Sequence, residues 1–123
     1  MTVLVLWLLQ LVLAILFAGL GLMKLVQPYR RLTRSLRWPA DFTPATVKVI
    51  GGAELLGAVG LILPVAVDRY EVLTPVAALA LAVLMALAIR VHVRRRERNM
   101  VTLPAILLGL NLLVAAGRFA EYL

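Results

Sequence analysis

Val49-Ile-Gly-Gly-Ala-Glu54-Leu-Leu-Gly-Ala-Val-Gly-Leu61 is an apolar run with a single carboxylate in it. Gly51-Gly52 precede Glu54, and Gly57 and Gly60 follow it. An ionisable group inside a bilayer is costly and usually functional. The glycines let neighbouring helices approach closely around it, with Ala53 and Gly57 as a small-xxx-small pair. The plainer reading is a hydrogen-bonded Glu54 that only holds helices together. Both readings need this run to cross a membrane, and the rest of the chain supports that.

The chain has 123 residues, enough for one domain. Its 63% hydrophobic content and mean hydropathy of +1.01 lie far from soluble domains, which are about half apolar and a quarter charged. Thirteen Lys and Arg against six Asp and Glu give a net charge of +7. The basic residues cluster between hydrophobic runs, as membrane loops require, so no nucleic-acid partner is expected. There is no cysteine, which excludes disulfides, thiol nucleophiles and thiolate metal sites in this chain. Any redox role must use a bound cofactor or a partner.

Val3 to Met23 is apolar apart from Gln10 and long enough for about 30 Å of hydrocarbon. A cleaved signal peptide would need a basic leading region and a shorter apolar core, and nothing basic precedes Lys24. Gln27 to Phe42 carries Arg30, Arg31, Arg34 and Arg37 with Tyr29, Leu32 and Leu36 at helical spacing. It reads either as an amphipathic interfacial segment, starting at Pro28 and ending at Pro39, or as a solvated basic loop. In the first case the arginines meet anionic headgroups, and Trp38 and Phe42 lie in the headgroup zone.

Thr43-Pro44 is an N-cap with proline at the first helical position, and Thr74-Pro75 repeats it for the next helix. Ala78, Ala82 and Ala86 recur every fourth residue and predict one smooth packing face. The last span holds Asn111 and ends at Arg118, with Phe119 and Tyr122 as interfacial anchors. Residues 1–123 therefore form one all-α integral membrane domain. It is a bundle of four transmembrane helices, at about 3–24, 44–64, 72–91 and 101–118, with an interfacial segment at 27–42 and no separate soluble catalytic domain. Loop charge places 25–43 and 92–100 in the cytoplasm and both termini outside.

With that topology Glu54 and Asn111 lie at similar depth and are placed to hydrogen-bond. Lys24, Lys48 and His92 sit at the cytoplasmic ends of their helices, and Gln10 and Arg118 toward the other face. Lys24 or Lys48, Glu54, Asn111, Gln10 and Arg118 would then make a polar column for a small ligand or a proton relay. The alternative is that the lysines snorkel and Arg118 marks a boundary. His92, the sole histidine, reads either as purely interfacial or as a further member of that ligand-binding or proton-relay set. No second histidine and no ExxH pair accompanies it, so no metal site is expected. Phosphate-binding glycine loops are absent, and Ser35 has no base near it in sequence.

Phe17-Ala18-Gly19 with Lys24, Gly52-x-Glu54-Leu55-x-Gly57 with Gly60-Leu61-x-Leu63-Pro64, Thr74-Pro75 with His92, and Gly117-Arg118 follow one another in the chain. Their order and spacing resemble the DoxX-like family of small four-helix bacterial membrane proteins. The resemblance implies a compact bundle in the inner membrane. The wider group includes DoxX and DoxD, associated with a thiosulfate:quinone oxidoreductase. This implies a membrane redox subunit near the quinone pool, with quinone as cofactor and a membrane oxidoreductase as partner. Without cysteine the chain cannot handle sulfur covalently, so a quinone-facing or anchoring role is what the likeness implies, in an accessory protein not catalytic by itself. Two other readings stand beside it. One is a homo-oligomeric transporter or channel component moving a proton or small solute past Glu54; the other is a structural protein of the lipid surface.

Overall fold

The computed structural model describes residues 2–122 and contains no strand among them. Four long helices, α1 (Val3–Val26), α3 (Pro44–Ala66), α4 (Leu73–Arg94) and α5 (Thr102–Ala120), are each long and apolar enough to cross a membrane. A short helix, α2 (Tyr29–Ser35), and a 3-10 turn at Trp38–Asp41 connect α1 to α3, and a second 3-10 turn, Arg98–Met100, precedes α5. The all-α four-helix bundle expected from the sequence is what forms.

Each helix buries one narrow stripe. In α1 it is Leu6, Gln10, Leu13, Phe17, Gly21 and Lys24; in α3 it is Val47, Gly51, Glu54, Ala58, Leu61 and Pro64. Steps of three and four residues keep such a stripe on one side of a 3.6-residue helix, the seam of an antiparallel bundle. The remaining faces are leucine, valine and isoleucine exposed all round, the surface of a protein whose solvent is lipid. α1 packs on α3 and α5, and α4 packs on α3 and α5. α3 and α5 are thus at opposite corners, as are α1 and α4.

Close contact depends on glycine at a few points, though not on the pair expected. Ala53 is exposed to the outside. The α1–α3 crossing is made by Gly21 and Gly51: a Cβ on Gly21 would lie 2.6 Å from the Gly51 carbonyl oxygen. Along α4, Ala78 and Ala82 are buried but Ala86 is exposed. A strict four-residue repeat drifts about 40° per step around a helix, so the inward stripe passes to Met85 instead.

Thr43 caps α3, its hydroxyl accepting from the Thr46 amide at 3.2 Å, with Pro44 at the first position. Thr74 does not repeat this role, because α4 begins one residue earlier and Thr74 is fully buried. Its hydroxyl donates to the Gly60 carbonyl at 2.9 Å. Pro64 is the reason: it stands inside α3 without an N–H, so the carbonyl four residues back loses its helical donor. In an apolar medium another side chain must supply it. Thr74→Val should destabilise the bundle by about 1–3 kcal/mol, and Pro64→Ala in the same chain should recover most of that. Thermal unfolding in detergent, followed by circular dichroism across the two single variants and the double, measures the coupling.

The basic segment also departs from a single helix between Pro28 and Pro39. α2 stops at Ser35 and Leu36 is extended (φ −125°, ψ 146°). The Tyr29 hydroxyl donates to the carbonyls of Pro39 (3.0 Å) and Phe42 (2.7 Å), which folds the second half of the segment back over the bundle. All Lys and Arg residues except Arg69 and Arg118 lie at this end, hereafter the basic end.

Candidate functional site

α1 and α3 are held together at Gly21 and Gly51, while α3 and α4 meet nearer the other end, where Gly57 receives Leu81 and Gly60 receives Ala77. The bundle is therefore closed below and open toward the basic end. A cavity of about 550 Å³ fills the opening, lined from all four long helices and from the turn after α2. Most of its wall is apolar, including Leu20, Leu84, Met85, Ala88 and Leu107.

Lys24 and Glu54 are the charged pair inside it. The helices run antiparallel, so Lys24 packs level with Gly51, where an added Cβ would lie 2.7 Å from Lys24 Cβ, and Glu54 is one turn further along α3, within reach of the long Lys24 side chain. Lys24 Nζ donates to Glu54 Oε1 in a buried ion pair. Glu54 is completely buried, and its Oε2 has no hydrogen-bond partner among the described residues. The Trp38 ring lies over Lys24, its centroid 5.5 Å from Nζ, in a cation–π contact, and meets Phe42 edge-on at 5.8 Å. In the interfacial reading of its segment Trp38 lies in the headgroup zone; the fold-back of that segment makes the indole part of the cavity wall. Arg30, Arg31, Arg34 and Arg37 all remain exposed.

His92 is buried and lines the same cavity. Its Nδ1 is 3.2 Å from Glu97 Oε1. α4 ends in a left-handed residue, Arg96 (φ 59°), after which the Glu97 amide bonds back to the His92 carbonyl at 2.9 Å. This is a Schellman cap, and it returns the Glu97 side chain to His92. Arg95 bonds both Glu97 and Asp41, tying the loop after α4 to the turn after α2. The Asp41 contact raises the guanidinium pKa further above its usual value. Arg90 and Arg94 line the cavity, are exposed, and pair with no carboxylate among the described residues.

The other polar residues named from the sequence are placed elsewhere. Gln10 donates to the Leu61 carbonyl at 2.6 Å, and its Oε1 accepts from Arg118 Nε at 2.7 Å. Arg118 also contacts Glu121 at 2.9 Å and lies 5.6 Å from the centre of the Trp7 ring. This group locks α1, α3 and α5 at the far end, near Pro64. Asn111 does not bond Glu54: their helices are at opposite corners, and Asn111 Nδ2 bonds its own Leu107 carbonyl at 2.9 Å. Lys48 is exposed and donates to the Leu25 carbonyl at 2.8 Å, satisfying the last turn of α1. Leu13, Phe17, Ala58 and Leu81 fill the space between the two polar groups, so these residues do not form one column.

Sequence reasoning did not anticipate Trp38 over Lys24, Glu97 on His92 or Trp7 on Arg118. Only the last had a usable signal, since Trp7 and Gln10 are three apart on one helical face.

The arrangement is an apolar pocket in a four-span bundle, with one buried ion pair at its base and cations at its mouth. No curated protein and no solved structure matches the sequence significantly. The sequence profile of the DoxX-like family matches residues 8–115, which contain the ion pair, Trp38 and His92. The chain is a multi-pass membrane protein that belongs to the DoxX-like family.

Proposed function

We propose that the chain is an inner-membrane quinone-binding protein, an accessory subunit of a membrane oxidoreductase. The observation that carries this reading is the cavity: large, mostly apolar, and reaching the buried Lys24–Glu54 pair. Ligand sites of about 300–1,000 Å³ typically combine apolar walls with a few placed polar groups. A flat ring fits beside the Trp38 indole. Lys24 Nζ keeps donors beyond the one it gives Glu54 and presents them to a carbonyl oxygen. A polyprenyl tail is accommodated by leucine and methionine walls.

A bound quinone supplies reversible two-electron, two-proton chemistry, which the chain lacks in its own side chains. The protein would fix the head, exclude water from it, and bring His92 and Glu97 near as groups able to carry a proton. Electrons would come from the partner. The apolar layer of Leu13, Phe17, Ala58 and Leu81 favours binding over passage through a single chain. The concentration of basic residues at the cavity end supports placing loops 25–43 and 92–100 in the cytoplasm and both termini outside.

Trp38 provides the test. Trp7 is the other tryptophan and stands at the opposite end, so Trp7→Phe leaves Trp38 as the sole indole. Titrating 2-methyl-1,4-naphthoquinone into this variant in mild detergent should quench its emission saturably. The double variant Lys24→Met/Glu54→Leu, made in the same background, should bind about tenfold or more weakly, the loss of a hydrogen bond to a charged group. Quenching that never saturates, or that the double variant leaves unchanged, would overturn the reading.

A further inference from the structure

Lys24 and Glu54 do not present the same chemistry to the cavity. An ammonium has three donors and one is used on Glu54 Oε1. An ionised carboxylate only accepts. Its Oε1 is occupied, while Oε2 is buried and has no donor among the described residues. Around the base of the cavity Leu84, Met85 and Leu107 have no side-chain donor to offer. A buried acceptor without a partner carries a desolvation penalty, and any ligand that supplies an O–H removes it.

We infer that this site selects a head bearing a hydroxyl donor, the quinol over the quinone, because Glu54 lines the cavity and its Oε2 is a buried acceptor without a partner among the described residues. The inference rests on the quinone-site reading above. Both redox forms can accept a hydrogen bond from Lys24, through a carbonyl or through a hydroxyl oxygen. Only the reduced form also donates, to Glu54 Oε2. The oxidised form sets a carbonyl lone pair near a carboxylate and leaves it unpaired. Discrimination of this kind is strong when a site is built to bond a substrate hydroxyl.

Three probes on the Trp7→Phe protein test this under argon: 2-methyl-1,4-naphthoquinone, its quinol, and the quinol dimethyl ether. The last carries a methyl on each oxygen in place of the O–H hydrogen and so can no longer donate. With Trp38 quenching by the quinone as the reporter, the quinol should compete about tenfold or more better than the dimethyl ether. A tenfold preference for quinol over quinone corresponds to a rise of about 30 mV in the midpoint potential of the bound couple. In Lys24→Met/Glu54→Leu the preference should disappear. Equal competition by quinol and ether, with saturable quinone binding, overturns the inference and leaves the quinone reading standing. Absence of saturable binding by every probe removes both. The ether comparison needs no substitution at the site, so a poorly folded double variant does not weaken it.

Discussion

Lys24→Met is expected to destabilise the bundle by about 3–5 kcal/mol, the usual penalty for leaving one member of a buried ion pair alone. Glu54 is fully buried on the inward stripe of α3, deep within the helix, and has no other charged partner among the described residues. It cannot reach the headgroups by a rotamer change. Glu54→Gln should be milder, about 1–3 kcal/mol. Lys24 is near the end of α1 and has four methylenes, so its ammonium can move toward the headgroups when its partner is lost. The double variant Lys24→Met/Glu54→Leu should be close to the parent, since apolar residues of similar volume commonly replace a buried pair without loss. Thermal unfolding in detergent, compared across the four proteins, reads this. If the double variant were as unstable as Lys24→Met, the pair would owe its effect to packing alone. A pair that is dispensable for stability yet essential for ligand binding is what a binding site predicts, and helix glue predicts the reverse.

Much of this was legible from spacing. Gln10 and Lys24 are fourteen residues apart, two heptads, so they fall within about 40° of each other around α1. Gly51, Glu54 and Ala58 follow the same rule on α3. Membrane spans, their order and the two-ended charge distribution come directly from hydropathy and loop composition. What could not be read was which helices are neighbours. Glu54 and Asn111 share a depth but occupy opposite corners, and depth is all a sequence pattern measures. The Asn111 amide therefore turns to its own helix, bonding Leu107.

Two other departures have the same character. Thr74-Pro75 matches the pattern of Thr43-Pro44, but a second proline, Pro64 on a different helix, needs the Thr74 hydroxyl more than the α4 amides do. Trp38 has the composition of an interfacial anchor, and only the Tyr29 hydrogen bonds to Pro39 and Phe42 turn it over Lys24. In each case a local signal is overridden by a tertiary partner that no periodicity encodes. The site is where these overrides concentrate, since Lys24, Trp38, Glu54 and His92 come from four separate segments.

Gly21→Val should be the most damaging of the glycine substitutions, at about 3 kcal/mol or more. The new Cβ would fall 2.6 Å from the Gly51 carbonyl oxygen and 2.8 Å from the Leu55 amide nitrogen, both backbone atoms that no rotamer can move aside. The helices must separate, and Lys24 and Glu54, which flank the crossing, separate with them. Ligand binding should therefore be lost in any fraction that still folds, which Trp38 quenching in the Trp7→Phe background would detect. Gly51→Ala strikes the same crossing from the other side, 2.7 Å from Lys24 Cβ and 2.9 Å from the Gly21 carbonyl oxygen. Gly19, Gly52 and Gly109 supply the control, for a Cβ at any of them meets nothing within 4 Å. Their replacement by Ala should be neutral or stabilising by about 0.5–1 kcal/mol, the helical preference for Ala. If Gly21→Val and Gly52→Ala behaved alike, the ion pair would not depend on the close crossing. If they diverge as expected, two glycines fix the distance across which Lys24 and Glu54 meet, and through it the polar base of the cavity.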